Sequence, residues 1–204
     1  MSERGKLITL EGVDGAGKST HIPYIEQRLR EQGRTVLVTR EPGGTPLAEK
    51  LRELVLSQAM DALAETLLMV AARSDHVRHV IRPALEAGTW VLCDRFSDAT
   101  AAYQGAGKGI PLALIQQLAE AAHPGLRPDR TLVFDCPYDI ARERLTAAGR
   151  ELDRFEREDR LFFERVRDAY LERAQAEPGR IRLIDATASL DAIEKVLDKS
   201  IIFS

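Results

Sequence analysis

The chain has 204 residues, enough for one domain with a small insertion, and its composition is ordinary at 44% hydrophobic and 30% charged. A formal net charge of −3 excludes the basic field that sequence-independent nucleic-acid binding needs, yet leaves room for a local phosphate site. No window approaches the ~18 apolar residues of a membrane helix and no secretory h-region follows the polar start, so the expected setting is the cytoplasm, with neither nucleic acid nor membrane as partner.

The first apolar run, Leu7–Leu10, reads as a strand. Directly after it, Gly12-Val13-Asp14-Gly15-Ala16-Gly17-Lys18-Ser19 fits G-x-x-x-x-G-K-[ST] at every fixed position. A helix opens at Lys18 and runs to about Gln32, stopped by Gly33, so the motif has the strand-to-helix context it demands. Glycines let the backbone curl until successive N–H groups aim at phosphate oxygens, and the helix N-terminus adds partial positive charge. Gly12, Val13, Asp14, Gly15, Ala16, Gly17, Lys18, Ser19 and Thr20 are therefore the expected ATP cradle. In it Lys18 spans the β- and γ-phosphates and the Ser19 hydroxyl serves Mg²⁺.

A second strand, Thr35–Thr39, leads into Arg40-Glu41-Pro42-Gly43-Gly44-Thr45, a turn-forming Pro-Gly-Gly behind an Arg-Glu pair. Helices follow over about Pro46–Ser57 and about Ala62–Ala87, the longer one with a kink expected at Pro83. The strand Trp90–Cys93 runs into Asp94-Arg95-Phe96. An acid at that end of a strand lies beside the phosphate loop, so Asp94 is placed to organise Mg²⁺ or its waters and Arg95 to grip an anionic acceptor. Gly105-Ala106-Gly107-Lys108-Gly109 lacks the phosphate-loop spacing and reads as a flexible loop. Beyond it come a helix about Pro111–Ala122, a strand Thr131–Asp135 and a helix about Tyr138–Ala147. The charged stretch Gly149–Glu158, a helix about Glu156–Ala176, a strand Ile181–Ile184 and a helix about Ser189–Lys199 complete the chain.

Strands alternating with helices imply βαβ units, and apolar strand runs imply burial on both faces. The expected architecture is α/β: a three-layer P-loop NTPase fold, a five-stranded parallel sheet flanked by helices, one domain with a small mobile lid at about residues 146–158. Cys93 and Cys136 sit in apolar runs and read as buried small hydrophobes. His76, His79 and His123 offer no zinc pattern. The chain contains no asparagine, which removes the Asn-Lys-x-Asp signature of GTPase switches. A small kinase of nucleotides or metabolites remains, with a non-catalytic nucleotide-binding protein as the alternative of another class; Lys18, Asp94 and Arg95 together argue for the kinase.

Gly12–Thr20, Thr39–Thr45, Ala71-Ala72-Arg73, Asp94-Arg95-Phe96, Ala102-Tyr103-Gln104-Gly105 and Leu152-Asp153-Arg154-Phe155-Glu156 occur in the order and spacing of bacterial thymidylate kinases. The chain resembles that family from about Lys6 to Asp185. The resemblance implies a nucleoside-monophosphate-kinase-like domain that moves the γ-phosphoryl of ATP, with Mg²⁺, to dTMP, giving dTDP for dTTP synthesis, and works as a homodimer. It implies that Arg95 and Arg52, with Arg40 as a third candidate, meet the acceptor phosphate. Met69 and Arg73 fall at the thymine, Met69 standing where the family has an aromatic side chain. Thr100 and Gln104 match positions at the base edge, Tyr103 the sugar position, and Asp14, with Glu41 nearby, the 3′-OH. A catalytic lid arginine is implied as well, Arg150 first, ahead of Arg144 and Arg154. The acceptor is a phosphate monoester with a second pKa of about 6, so its oxygen is already ionised at neutral pH and no general base is called for.

Overall fold

Five short strands form one sheet in the order β2-β3-β1-β4-β5, every neighbouring pair parallel. The computed structural model describes residues 4–149 and 151–202. Its strands are β1 (Leu7–Glu11), β2 (Val36–Arg40), β3 (Trp90–Asp94), β4 (Arg130–Asp135) and β5 (Ile181–Asp185). Among them run α1 (Lys18–Glu31), α2 (Pro46–Ser57), α3 (Ala62–His76), α4 (Arg82–Glu86), α5 (Ser97–Thr100), α6 (Leu112–Ala122), α7 (Tyr138–Ala147), α8 (Arg160–Ala176) and α9 (Leu190–Ser200). The expected α/β sheet flanked by helices is present.

Side-chain alternation divides the core between the two faces of the sheet. Ile8, Leu10 and Leu92 pack on one face with Ile25, Leu29 and Val166; Leu7, Val91 and Cys93 pack on the other with Val77, Ile81 and Leu85. β1 is buried at all five positions, whereas the edge strands β2 and β5 mix buried, half-buried and exposed residues. Four or more consecutive buried positions mark only the inner strands, because an edge strand has helix cover over part of its length.

Helix starts follow local chemistry. Thr45 caps α2 by accepting from Ala48 N–H, with Pro46 in the first turn; Asp61 caps α3 through Leu63 and Ala64 N–H. The helix expected from Glu156 begins instead at Arg160, because the Asp159 carboxylate accepts from Phe162 N–H and fixes the start there. Between α3 and α4 the chain stays helical through a π-helical turn, Val77–Ile81, and Pro83 falls in the first turn of α4, where its missing N–H costs little.

One expectation is corrected. The Gly-rich run after Tyr103 is not a loop throughout: α5 continues into a buried π-helical segment, Ala101–Gly107. A side chain on Gly107 would lie 2.5 Å from the Phe162 ring, and one on Gly105 would lie 3.2 Å from Ile115. Those glycines exist for close packing against α8 and α6.

The register decides where function can sit. Leu10 and Arg40 both pair with Asp94. Just beyond, Arg95 N–H donates to Leu10 O and Glu41 N–H donates to Asp94 O, each at 2.9 Å. The ends of β2, β3 and β1 thus bring Glu41, Asp94, Arg95 and Gly12 together where the strand order reverses, the usual ligand crevice of an open parallel sheet.

Candidate active site

The loop from Gly12 to Gly17 has the tight curl its glycines permit. Gly12, Gly15 and Gly17 all have positive φ, and a side chain on Gly12 would lie 2.4 Å from Phe134 O. Gly17 precedes α1 with no side-chain cap, so the first N–H groups of that helix are left for an anion. Lys18 is buried and arches back over its own loop, donating to Gly12 O at 3.0 Å and Val13 O at 2.9 Å. Burial pushes its ammonium down to about 8, with Arg95 adding to the fall and Asp14 opposing it. Ser19 and Thr20 are exposed on the floor of a cleft of about 1490 Å³ that also touches Lys18, Arg40, Arg52, Asp94 and Arg144.

Asp94 satisfies a physical test for a cation partner. Its Oδ1 is buried with no hydrogen-bond partner among the described residues, and the residue lines the same cleft as Ser19. One unspent carboxylate oxygen beside a hydroxyl is what Mg²⁺ on a nucleotide asks of a protein, the phosphates and waters supplying the rest. A dedicated cage of three or more His, Cys, Asp or Glu is absent among the described residues.

Arg95 is the hub. It stands at φ 71, the only non-glycine residue with positive φ among those described. Such a backbone costs of order 1–3 kcal/mol and needs support. Glu11 supplies it, accepting from Phe96 N–H and from the Tyr170 hydroxyl, each at 2.7 Å. Burial, helped by Asp98, pushes the Glu11 carboxyl up to about 7 against the pull of Arg95. From that corner the Arg95 guanidinium donates to Gly12 O at 2.9 Å, Asp14 Oδ1 at 2.5 Å and the Tyr103 hydroxyl at 3.0 Å. The Tyr103 hydroxyl in turn donates to Asp14 Oδ2 at 2.8 Å. Burial alone would raise the Asp14 carboxyl, but Arg95 and Lys18 outweigh it and hold it below its ordinary value.

A second, narrower cleft of about 480 Å³ opens beside this hub. Met69, Tyr103, Gln104, Leu56, Ala99 and Phe155 supply most of its wall, and Asp14, Glu41, Arg52, Arg95 and Asp153 its polar end. Arg52 also donates to Pro42 O at 3.0 Å, while Arg40 pairs with Glu49 near the surface. Arg73 and Thr100 are not in the lining. They stand one layer behind it, where Arg73 donates to Glu41 at 2.6 Å, to the Thr100 hydroxyl and to Phe96 O. Glu41 also accepts from His76 Nδ1, whose Nε2 shares a hydrogen bond of 2.7 Å with the Thr39 hydroxyl. Burial would raise the Glu41 carboxyl, and Arg73 and His76 together hold it low. The sequence reading of His76 as unremarkable missed this role.

The lid candidates separate. Arg144, on α7, borders the phosphate-loop cleft: a side chain on Gly17 would lie 3.7 Å from its Nη1. Arg154 turns the other way, donating to Val55 O and to Glu65. Arg150, the first choice from sequence, lies outside the described residues. Asp153 accepts from Phe155 and Glu156 N–H, a turn that sets Phe155 against Tyr103. Leu56 and Ala99 are cleft residues that sequence reasoning did not single out; Phe155 was visible only as part of the Leu152–Glu156 block and was given no role there. Burial pushes the thiols of Cys93 and Cys136 up, in keeping with a packing role.

A family model described as thymidylate kinase matches residues 10–197. The chain is 58% identical over 201 residues to a thymidylate kinase of Bordetella pertussis, covering 98% of this chain and 96% of that one. With the thymidylate kinase of Methylobacillus flagellatus it shares 54% over 196 residues, 96% of each. A crystal structure of thymidylate kinase from Ehrlichia chaffeensis matches at TM-score 0.77 and 34% identity, over 96% of this chain and 98% of that one.

Proposed function

Because this chain belongs to the thymidylate kinase family, it phosphorylates dTMP to dTDP with ATP as donor, and we propose that its phosphate loop holds the donor while Arg95 and the narrow cleft hold the acceptor. The observation that carries this division is a shared wall. Asp14, Glu41, Arg52, Leu56, Arg95 and Asp153 line both clefts, so two anionic substrates would meet at Arg95.

In this reading the N–H groups of residues 12–20 cradle the donor phosphates, and Lys18 exchanges its loop carbonyls for phosphate oxygens. Ser19 and Asp94 would hold Mg²⁺, which when bound neutralises charge on the phosphates. Arg95 and Arg52 orient the acceptor phosphate, for which a planar fork is suited. Arg144, which borders the loop, and Arg150 are proposed to stabilise the moving phosphoryl group; residues 146–158 would act as the lid. Tyr103 and Asp14 are proposed to meet the sugar, and Met69, Phe155 and Gln104 the thymine; all five line the narrow cleft. Arg73 uses three of its five N–H groups on Glu41, Thr100 and Phe96, and the remaining two could reach the base from behind.

No helix is long and apolar enough to cross a membrane among the described residues. A cytoplasmic setting is proposed on the substrates. A homodimer is proposed on the family and on an apolar face: Leu47 and Leu54 of α2 and Leu63 and Leu67 of α3 are exposed on two helices packed together.

The test is ADP release measured with dTMP, dUMP, dCMP, dGMP and dAMP, with and without Mg²⁺. Turnover should be greatest with dTMP and should vanish without the cation. Preference for a purine would overturn the thymine cleft; no ADP with any acceptor would overturn the donor site.

A further inference from the structure

Glu65 is wholly buried near the start of α3, and both of its carboxylate oxygens are engaged. Oε1 accepts from Gln104 Nε2 at 2.9 Å. Oε2 accepts from Lys108 Nζ at 2.8 Å and from Arg154 Nη2. The helix N-terminus does not need this carboxylate, since Asp61 already caps it. Three residues from two other parts of the chain converge on it instead.

Gln104 is the one of the three that lines the narrow cleft, and it too is wholly buried. With its NH₂ given to Glu65, its Oε1 is left buried and without a partner among the described residues. The amide cannot be turned over cheaply. Reversal would set Oε1 against a carboxylate oxygen, two acceptors face to face. A buried oxygen left unpaired is destabilising, and an arriving donor removes that cost.

We propose that Glu65 is a specificity-determining positioning residue: by holding the Gln104 NH₂ it leaves the amide oxygen for the N3–H of a 4-oxo pyrimidine, so the cleft accepts thymine and rejects cytosine. Thymine carries a proton on N3. Cytosine presents a bare N3, an acceptor that the amide oxygen repels, and a site arranged this way excludes as well as attracts. Lys108 and Arg154 neutralise the buried carboxylate, which keeps it in place as an acceptor. The proposal rests on the reading of the narrow cleft as the thymine site, and the experiment separates the two.

Glu65→Gln keeps the shape but allows the new amide to offer its own NH₂, so Gln104 can turn over. The preference for dTMP over dCMP, as a ratio of kcat/KM, should fall at least about tenfold in this variant. The preference for dTMP over dUMP should not change, since both bases present the same N3–H and 4-oxo edge. Glu65→Asp, which keeps a carboxylate, should restore part of the lost discrimination. Equal losses on all three acceptors would make Glu65 structural only and overturn its role. In the unaltered enzyme, N3-methyl-dTMP should be a poorer acceptor than dTMP by at least about tenfold. Equal use of the two would sink the thymine reading itself. Rejection of N3-methyl-dTMP with unchanged discrimination in Glu65→Gln would sink only the role of Glu65. Should Glu65→Gln fail to fold, the Gln104 side-chain NH₂ signals of the unaltered protein, identified by their loss in Gln104→Leu, give the answer. They should be protected from exchange and shift little on adding dTMP; rapid exchange would overturn the proposal.

Discussion

The clefts proposed for donor and acceptor are built in opposite ways. Residues 12–20, the proposed donor cradle, are one unbroken stretch, with backbone N–H groups as the working parts and glycines as the means. The narrow cleft proposed for the acceptor gathers residues from β2's end, α2, α3, the corner after β3, the π-helical segment and the turn at Asp153–Phe155, and its working parts are side chains. A backbone site tolerates drift in the surrounding sequence. A side-chain site depends on neighbours that hold each group, as Glu11 holds the Arg95 corner and Glu65 holds Gln104.

Losses on the two sides should therefore have different signatures. Lys18→Ala should cost the most, on the order of 10³ in kcat, with the melting temperature close to that of the unaltered protein. Activity within a few-fold of the starting protein would remove Lys18 from the donor site. Arg95→Lys should follow at about 10² in kcat/KM for dTMP, because an ammonium cannot serve Gly12, Asp14 and Tyr103 from one rigid fork. The KM for ATP should barely move; if it rises as much as that for dTMP, the two sides are not separable.

A pH series sharpens the contrast further. Burial pushes the Lys18 ammonium down to about 8, and a bound phosphate favours its protonated form. Affinity for ATP is thus fully present below that pH and lost as pH rises through it. From pH 7 to pH 9 the KM for ATP should rise about tenfold. Arg95 keeps its charge throughout, so the KM for dTMP should stay nearly flat; parallel rises would contradict the comparison. The smallest effect is expected from Met69→Phe. An aromatic pair is worth about 0.5–1.5 kcal/mol beyond its burial, so the KM for dTMP should drop a few-fold if position 69 faces the base. No change would assign Met69 to the core it also touches.

The same contrast explains what could be read in advance. The phosphate loop, the parallel sheet and the Asp94-Arg95 corner are legible because their signals are local: fixed spacing, strand-to-helix context, an acid at a strand end. The segment Ala101–Gly107 was not, because glycines that permit a turn also permit helices to pack closely, and only the presence of Phe162 and Ile115 tells which. Leu56, Ala99 and Phe155 became cleft residues through packing of distant elements, which no spacing records. Arg73 and Thr100 were placed at the base by resemblance, yet the fold sets them a layer back, engaged with Glu41 and each other. Glu65 looked like any acid in a helix's first turn.

Lys18 leaning on the carbonyls of Gly12 and Val13 has a consequence for turnover. The ammonium would serve as a placeholder guest for its own host, bracing the loop between nucleotides. Departure of product then asks only for a swap of partners around one nitrogen, with no rebuilding of the chain before the next nucleotide arrives. Backbone Cα chemical shifts of residues 12–17, which report φ and ψ, should accordingly change little when the nucleotide leaves, even though the freed amides exchange faster.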